Sequence, residues 1–199
     1  MAPCIEMYNK FVNTQAANNW EQIQKLIPSF TPVIDYNKYD QLATYLSNII
    51  TKLPYATRFK IADNHEDIVQ CMTNWGLSDK PYNLFNIDHH HDCGYNGGFT
   101  TYEDVVKQDL ECGNWAIKMQ DQFPLIKRYV WINNLNSNYN LADNVIKTFP
   151  EFISTNDINI INYIKFDYVF FCLSPAWIPP QCQPLFDTLT FLFEKIIKK

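Results

Sequence analysis

Short apolar runs alternate along this chain with longer stretches whose apolar residues recur every three or four positions. That alternation limits the fold more than any other feature. The runs Arg58–Ala62, Tyr82–Ile87, Arg128–Ile132, Asn159–Ile164 and Tyr168–Leu173 read as strands. Tyr39–Lys52, His65–Trp75, Tyr102–Gln120 and Leu185–Lys198 read as helices. The last of these carries Leu185, Leu189, Leu192, Phe193 and Ile196 at helical spacing, and its basic end suits the negative pole of the helix dipole. Strands interleaved with helices imply βαβ units and a mostly parallel sheet. A run such as Tyr168–Leu173, apolar without alternation, suits a sheet covered on both faces. The expected architecture is α/β: a three-layer α/β/α fold with a mostly parallel sheet, formed as a single domain over residues 1–199.

Composition supports a packed core and narrows the partners. The chain is 47% hydrophobic and 16% aromatic, which argues against disorder. Its net charge is −5 and no basic stripe is visible, so it lacks the cationic surface that would neutralise nucleic-acid phosphates. The fourteen Phe and twelve Tyr are spread along apolar segments and read as core rather than as base-stacking platforms. Six cysteines occur without a C-x-x-C pair, which fits reduced thiols. The first residues resemble no secretion signal, and no run reaches the roughly 18 apolar residues of a membrane span. A cytoplasmic protein with no membrane and no nucleic-acid partner is expected.

All four histidines lie between His65 and His91. Three of them occur in Asp88-His89-His90-His91-Asp92, directly after the run Tyr82–Ile87. If that backbone stays extended, Asp88, His90 and Asp92 point to one side, and His89 and His91 point away. Asp63 and His65 follow the first strand, and Ser174-Pro175-Ala176-Trp177 follow the fifth. In open α/β sheets, ligands bind beyond the carboxyl ends of strands, so three strand ends are expected to converge on one rim. Carboxylates and imidazoles together suit a divalent cation. His65, Asp88, His90 and Asp92 are the candidate metal ligands, with Mn2+ the best match for the donor set and Zn2+ or Fe2+ also compatible. The alternative is a hydrogen-bonded Asp/His network with no metal, which would bury several ionisable groups at a cost. Glu66 and Asn114 are the candidate catalytic residues beside the ligands. The five glycines, Gly76, Gly94, Gly97, Gly98 and Gly113, bracket the histidines, and Tyr95–Gly98 reads as a loop over the site.

The pattern Asp88-x-His90-x-Asp92 after a strand resembles the D-x-H-x-D motif of the arginase (ureohydrolase) superfamily. The chain is more closely similar to a branch of small proteins and peptide arginases. The pieces that carry this resemblance are Asp63-Asn64-His65, Asp88–Asp92, Gly113-Asn114-Trp115 and Tyr129-Val130-Trp131-Ile132, in that order. It covers about residues 58–180 and leaves 1–57 as an extension without a counterpart. The resemblance implies an arginase-like fold and a site for one or two Mn2+ ions, where water is activated to attack a guanidinium carbon. His65 would bind the first ion and His90 the second, with Asp88 and Asp92 binding or bridging. The implied substrate is arginine in a peptide or a small guanidinium compound, and the products are ornithine and urea. The superfamily also has a late acidic motif after a further strand, where this chain has Ser174 and Ala176. That departure implies a weakened or single-metal site, an engineered replacement of an acid, or a non-catalytic relative that binds a metal or another ligand.

A competing resemblance comes from Asp88-His89-His90, which is similar to the motif of the DHH manganese phosphoesterases. The upstream D-x-D and downstream G-G-H of that family are absent from the sequence, and no histidine follows His91. His91-Asp92 alone would suit an HD-type phosphohydrolase, but that fold is all-helical and the apolar runs here read as strands.

Overall fold

The protein is described here by a computed structural model covering residues 21–23, 25–28, 36–52, 58–77, 79–94, 101–133, 137, 143–173 and 182–197. The elements in chain order begin with α1 (Tyr36–Lys52), β1 (Arg58–Ala62), α2 (Asp67–Asn74) and β2 (Tyr82–Ile87). Next come α3 (Tyr102–Lys107), α4 (Trp115–Gln122), β3 (Ile126–Ile132) and α5 (Asp143–Ile146). The described chain ends with β4 (Phe152–Thr155), a 3-10 helix (Ile158–Tyr163), β5 (Tyr168–Cys172) and α6 (Gln183–Ile197). The fold is mixed α/β with small parallel sheets, and it divides into two compact units.

One unit combines the described residues up to Asn64 with those from Asn162 onward. Its sheet is the parallel pair β1–β5, in register from Arg58 opposite Tyr168 to Ala62 opposite Cys172. The ladder continues at both ends through Arg58 N–H to the Asp167 carbonyl at 3.1 Å and Leu173 N–H to the Ala62 carbonyl at 3.0 Å. Arg58 and Lys60 are exposed while Phe59 and Ile61 turn inward, as the period of a strand requires. Phe59 stacks on Phe193 at 4.7 Å, Phe171 stacks on Phe186 at 4.7 Å, and Phe171 lies 5.2 Å from Phe193. Phe193, buried on α6, is thus the knot of an aromatic core, and α1 packs along α6.

The other unit runs from His65 to Ile161 and holds the parallel sheet β2–β3–β4. β3 is the central strand, and its last four residues, Tyr129, Val130, Trp131 and Ile132, are all buried. A parallel pair needs a crossover connection, and α3 and α4 supply it between β2 and β3 while α5 lies between β3 and β4. α2 buries Ile68, Val69, Cys71 and Met72 and packs against α4. Gly76, at φ +70°, lets the chain leave α2, and the Leu77 amide reaches back to the Met72 carbonyl at 3.1 Å. Trp115, Ala116, Ile117 and Met119 carry α4 into the core, and Tyr129 stacks on Phe149 at 4.9 Å and Phe152 at 5.4 Å.

Two sequence expectations are corrected, and one strand is added. Asn159–Ile164 is no strand, since Ile158–Tyr163 forms a 3-10 helix. The side chain of Asp157 accepts from the Asn159 amide at 3.0 Å and from Asn159 Nδ2 at 2.9 Å, which starts a turn instead of an extended run. The strand next to β3 is Phe152–Thr155, too short to show a period. The predicted helix Tyr102–Gln120 is two helices, α3 and α4. Thr101 caps α3 by accepting from the Asp104 amide at 3.2 Å. The break falls at 108–114, where the Asn114 side chain bonds to backbone groups and competes with helix continuation. The extension 1–20, the loop Tyr95–Gly98 and the segment Ser174–Trp177 lie outside the described residues.

Candidate metal centre

β2 ends at Ile87, and the next residues leave the ladder at once. The Asp88 amide still bonds to the Ile132 carbonyl at 3.3 Å, and the Trp131 indole N–H donates to the Asp88 carbonyl at 3.0 Å. Asp88 then turns the chain, because its own Oδ1 accepts from the His90 amide at 3.0 Å. The turn ends at Asp92, whose φ of +52° makes it the non-glycine residue in left-handed backbone among the described residues. His65 enters from the turn that opens α2, where its carbonyl accepts from the Ile68 amide at 3.1 Å.

These two turns bring three side chains together. Nδ1 of His65 lies 3.2 Å from Oδ2 of Asp88 and 3.4 Å from Oδ2 of Asp92. One ligand atom from each of the three falls within 4.8 Å of the others, a group able to hold a metal ion. Two donors at about 2.1 Å from one cation, separated by 90–110° at the metal, lie roughly 3.0–3.4 Å apart. The two separations from His65 Nδ1 match that. Asp92 is only 1% exposed, and its Oδ1 makes no hydrogen bond, while the side chains of His65 and Asp88 keep 20% and 15% exposure. A buried carboxylate oxygen without a partner is unusual, and the Asp92 oxygen nearest His65 is the other one, Oδ2. Among the described residues, Asp88 and Asp92 form ion pairs only with histidines. The donor set therefore fits a divalent cation.

The other oxygen of Asp92 is strongly held. Oδ2 accepts from the Trp115 indole N–H at 2.8 Å and from Asn86 Nδ2 at 3.2 Å. Asn86 also reaches the Tyr129 hydroxyl at 3.1 Å, and that hydroxyl donates to the His91 carbonyl at 2.8 Å. The backbone joins in through Ala116 N–H to the Asp92 carbonyl at 3.1 Å and Gly94 N–H to the Gly113 carbonyl at 2.7 Å. Burial pushes the Asp92 carboxyl up to about 6, with nearby Asp88 adding to the rise and the His65 and Trp115 bonds opposing it.

The remaining candidates sit around this group. His90 lies at its edge, with Nδ1 3.9 Å from Oδ1 of Asp88, and burial lowers its pKa. The expectation that Asp88, His90 and Asp92 share one side assumed extended backbone, and a turn replaces that alternation. Asp92 arrives through its left-handed φ instead. His91 is 1% exposed and lies edge-on to Trp131 at 5.4 Å, and burial lowers its pKa to about 4. His89 lies beside Ser137, which donates to its carbonyl at 2.8 Å. Asp63 is exposed. Glu66 is buried next to His65 at the start of α2, its Oε2 has no hydrogen bond, and burial raises its pKa. Asn114 is committed to the loop before α4: Oδ1 accepts from the Glu111 amide and Nδ2 donates to the Asp109 carbonyl, both at 2.8 Å.

Sequence reasoning missed Asn86, Trp115 and Tyr129 as parts of this site. Asn86 is the discoverable one, an asparagine near the carboxyl end of the strand that, unlike the exposed Asn83, is partly buried. Trp115 and Tyr129 lie in pieces of the arginase-like resemblance but carry no role there, because their residue type does not separate them from ordinary core aromatics. No helix among the described residues is long and apolar enough to cross a membrane. No protein-family model, curated protein or solved structure matches the chain.

Proposed function

We propose that the protein is a divalent-metal-dependent hydrolase in which His65, Asp88 and Asp92 hold the cation. The observation that carries this reading is the placing of His65 Nδ1 at 3.2 Å from Oδ2 of Asp88 and 3.4 Å from Oδ2 of the buried Asp92. Mn2+ suits the mixed oxygen and nitrogen donors best, with Zn2+ and Fe2+ as competitors. The chemistry a dication supplies at such a site is activation of water for hydrolysis near neutral pH. His90, 3.9 Å from Oδ1 of Asp88, is the group to complete a second ion's shell in a two-ion version. Glu66, buried next to His65, offers a carboxyl oxygen that the protein itself leaves unbonded.

The reaction is proposed from the resemblance to arginase-like proteins: hydrolysis of a guanidinium carbon–nitrogen bond of arginine, in a peptide or small molecule, to ornithine and urea. Incubating the protein with an arginine-containing peptide and Mn2+ tests it. Urea should appear, depend on Mn2+, and disappear in Asp92→Asn. Hydrolysis of a phosphodiester instead would support the phosphoesterase alternative.

A second reading is favoured by the same distances. A protonated His65 donating to both carboxylates would form a metal-free ion-pair network, and 3.2 Å is also near hydrogen-bond length. In that reading the protein recognises a ligand or partner without turnover. Failure to bind any divalent cation would favour it.

A further inference from the structure

We propose that Trp115 is a positioning residue for the cation: its indole N–H, together with Asn86, holds the Asp92 carboxylate in the orientation from which it ligates. This rests on the metal reading above and deepens it. A buried indole N–H requires an acceptor, and the one found for Trp115 is Oδ2 of Asp92 at 2.8 Å. Trp115 is 3% exposed, and the residues on either side of it serve the same end. Asn114 ties the turn to the backbone at 109 and 111, and the Ala116 amide takes the Asp92 carbonyl at 3.1 Å. Asp92 is therefore gripped at its backbone and at one carboxylate oxygen by the first turn of α4, while the other oxygen is left without a protein partner. Partners that orient a ligating carboxylate typically change metal affinity by about 10- to 100-fold when removed.

The test is Mn2+ titration of the full chain, wild type against Trp115→Phe, at a temperature where circular dichroism shows both folded. Phe keeps an aromatic ring and removes the N–H donor together with part of the indole's buried volume, which is why folding of both proteins is checked first. The expected result is Mn2+ affinity weakened by about tenfold or more. A purely structural role would lower the unfolding midpoint and leave affinity intact, and unchanged affinity in Trp115→Phe overturns the inference. If that variant does not fold, the wild type decides. Saturation with Zn2+ should shift the Trp115 indole N–H resonance, and a resonance that stays in place overturns the inference equally. Absence of Mn2+ binding by the wild type would instead overturn the metal reading itself.

Discussion

The amide of Cys93 donates to Nδ1 of His91 across 3.0 Å inside the protein, so His91 carries its proton on Nε2 and is neutral. Its neighbour Asp92 is equally buried and titrates in the opposite sense. The loop after β2 thus contains two adjacent ionisable side chains whose effects on stability oppose each other.

For His91, the unfolded chain takes up a proton as pH falls through 6.5, and the folded chain refuses it until about 4. Its contribution to stability therefore falls with falling pH across that window. For Asp92, the unfolded chain loses its proton as pH rises through 3.8, while the folded chain keeps it to about 6. Its contribution falls with rising pH. In the metal-free protein the two slopes oppose between pH 4 and 6. Asp92→Asn removes one of them, so the urea midpoint of that variant should climb as pH is raised from 4 to 6.5. A midpoint that declines over this range would refute the assignment.

Gly94→Ala is expected to be strongly destabilising for two separable reasons. The residue has φ +87°, and a Cβ there would lie 2.6 Å from Cγ2 of Val105, which is fully buried. Left-handed strain and overpacking together should cost about 2–4 kcal/mol. Adding Val105→Ala should recover part of the overpacking share and none of the strain. Chemical denaturation of Gly94→Ala, Val105→Ala and the double variant measures both shares.

Tyr129→Phe deletes a fully buried hydroxyl that donates to the His91 carbonyl and accepts from Asn86. Leaving those groups unsatisfied should lower stability by about 1–3 kcal/mol. Arg128→Ala, next door in sequence, breaks only a half-exposed bridge to Glu151 and should change stability by less than about 1 kcal/mol. A larger loss from Arg128→Ala than from Tyr129→Phe would contradict the burial pattern of β3.

The strands β1, β2, β3 and β5 were legible because each is a compact apolar run, and α6 because its apolar stripe repeats cleanly. β4 was not, since Phe152–Thr155 is too short to reveal a period. Asn159–Ile164 misled because its apolar content resembles a strand, while the Asp157 side chain already bends the backbone there. At the site, residue types pointed to His65, Asp88, His90 and Asp92, and three of these, His65, Asp88 and Asp92, form a group that could hold a metal. His90 lies at the edge because side-chain direction after a strand depends on turn geometry, which Asp88 sets by bonding to the His90 amide. Trp115 meets Asp92 only through tertiary packing, across a separation that no local pattern records, whereas Asn86 reaches it across the turn after β2.

Within the cluster, substitutions should rank by contact. His65→Ala, Asp88→Asn and Asp92→Asn each remove a member of the three-residue group and should abolish Mn2+ binding or weaken it at least 100-fold, on the order of 3 kcal/mol or more. His90→Ala removes a side chain 3.9 Å from Asp88 and should weaken the first ion much less. The central measurement is isothermal titration of the wild-type chain and His65→Ala with Mn2+ at pH 7.5. Saturable binding by the wild type that is lost in His65→Ala is the predicted result. No binding by the wild type, or equal binding by both, would contradict a metal centre at His65, Asp88 and Asp92.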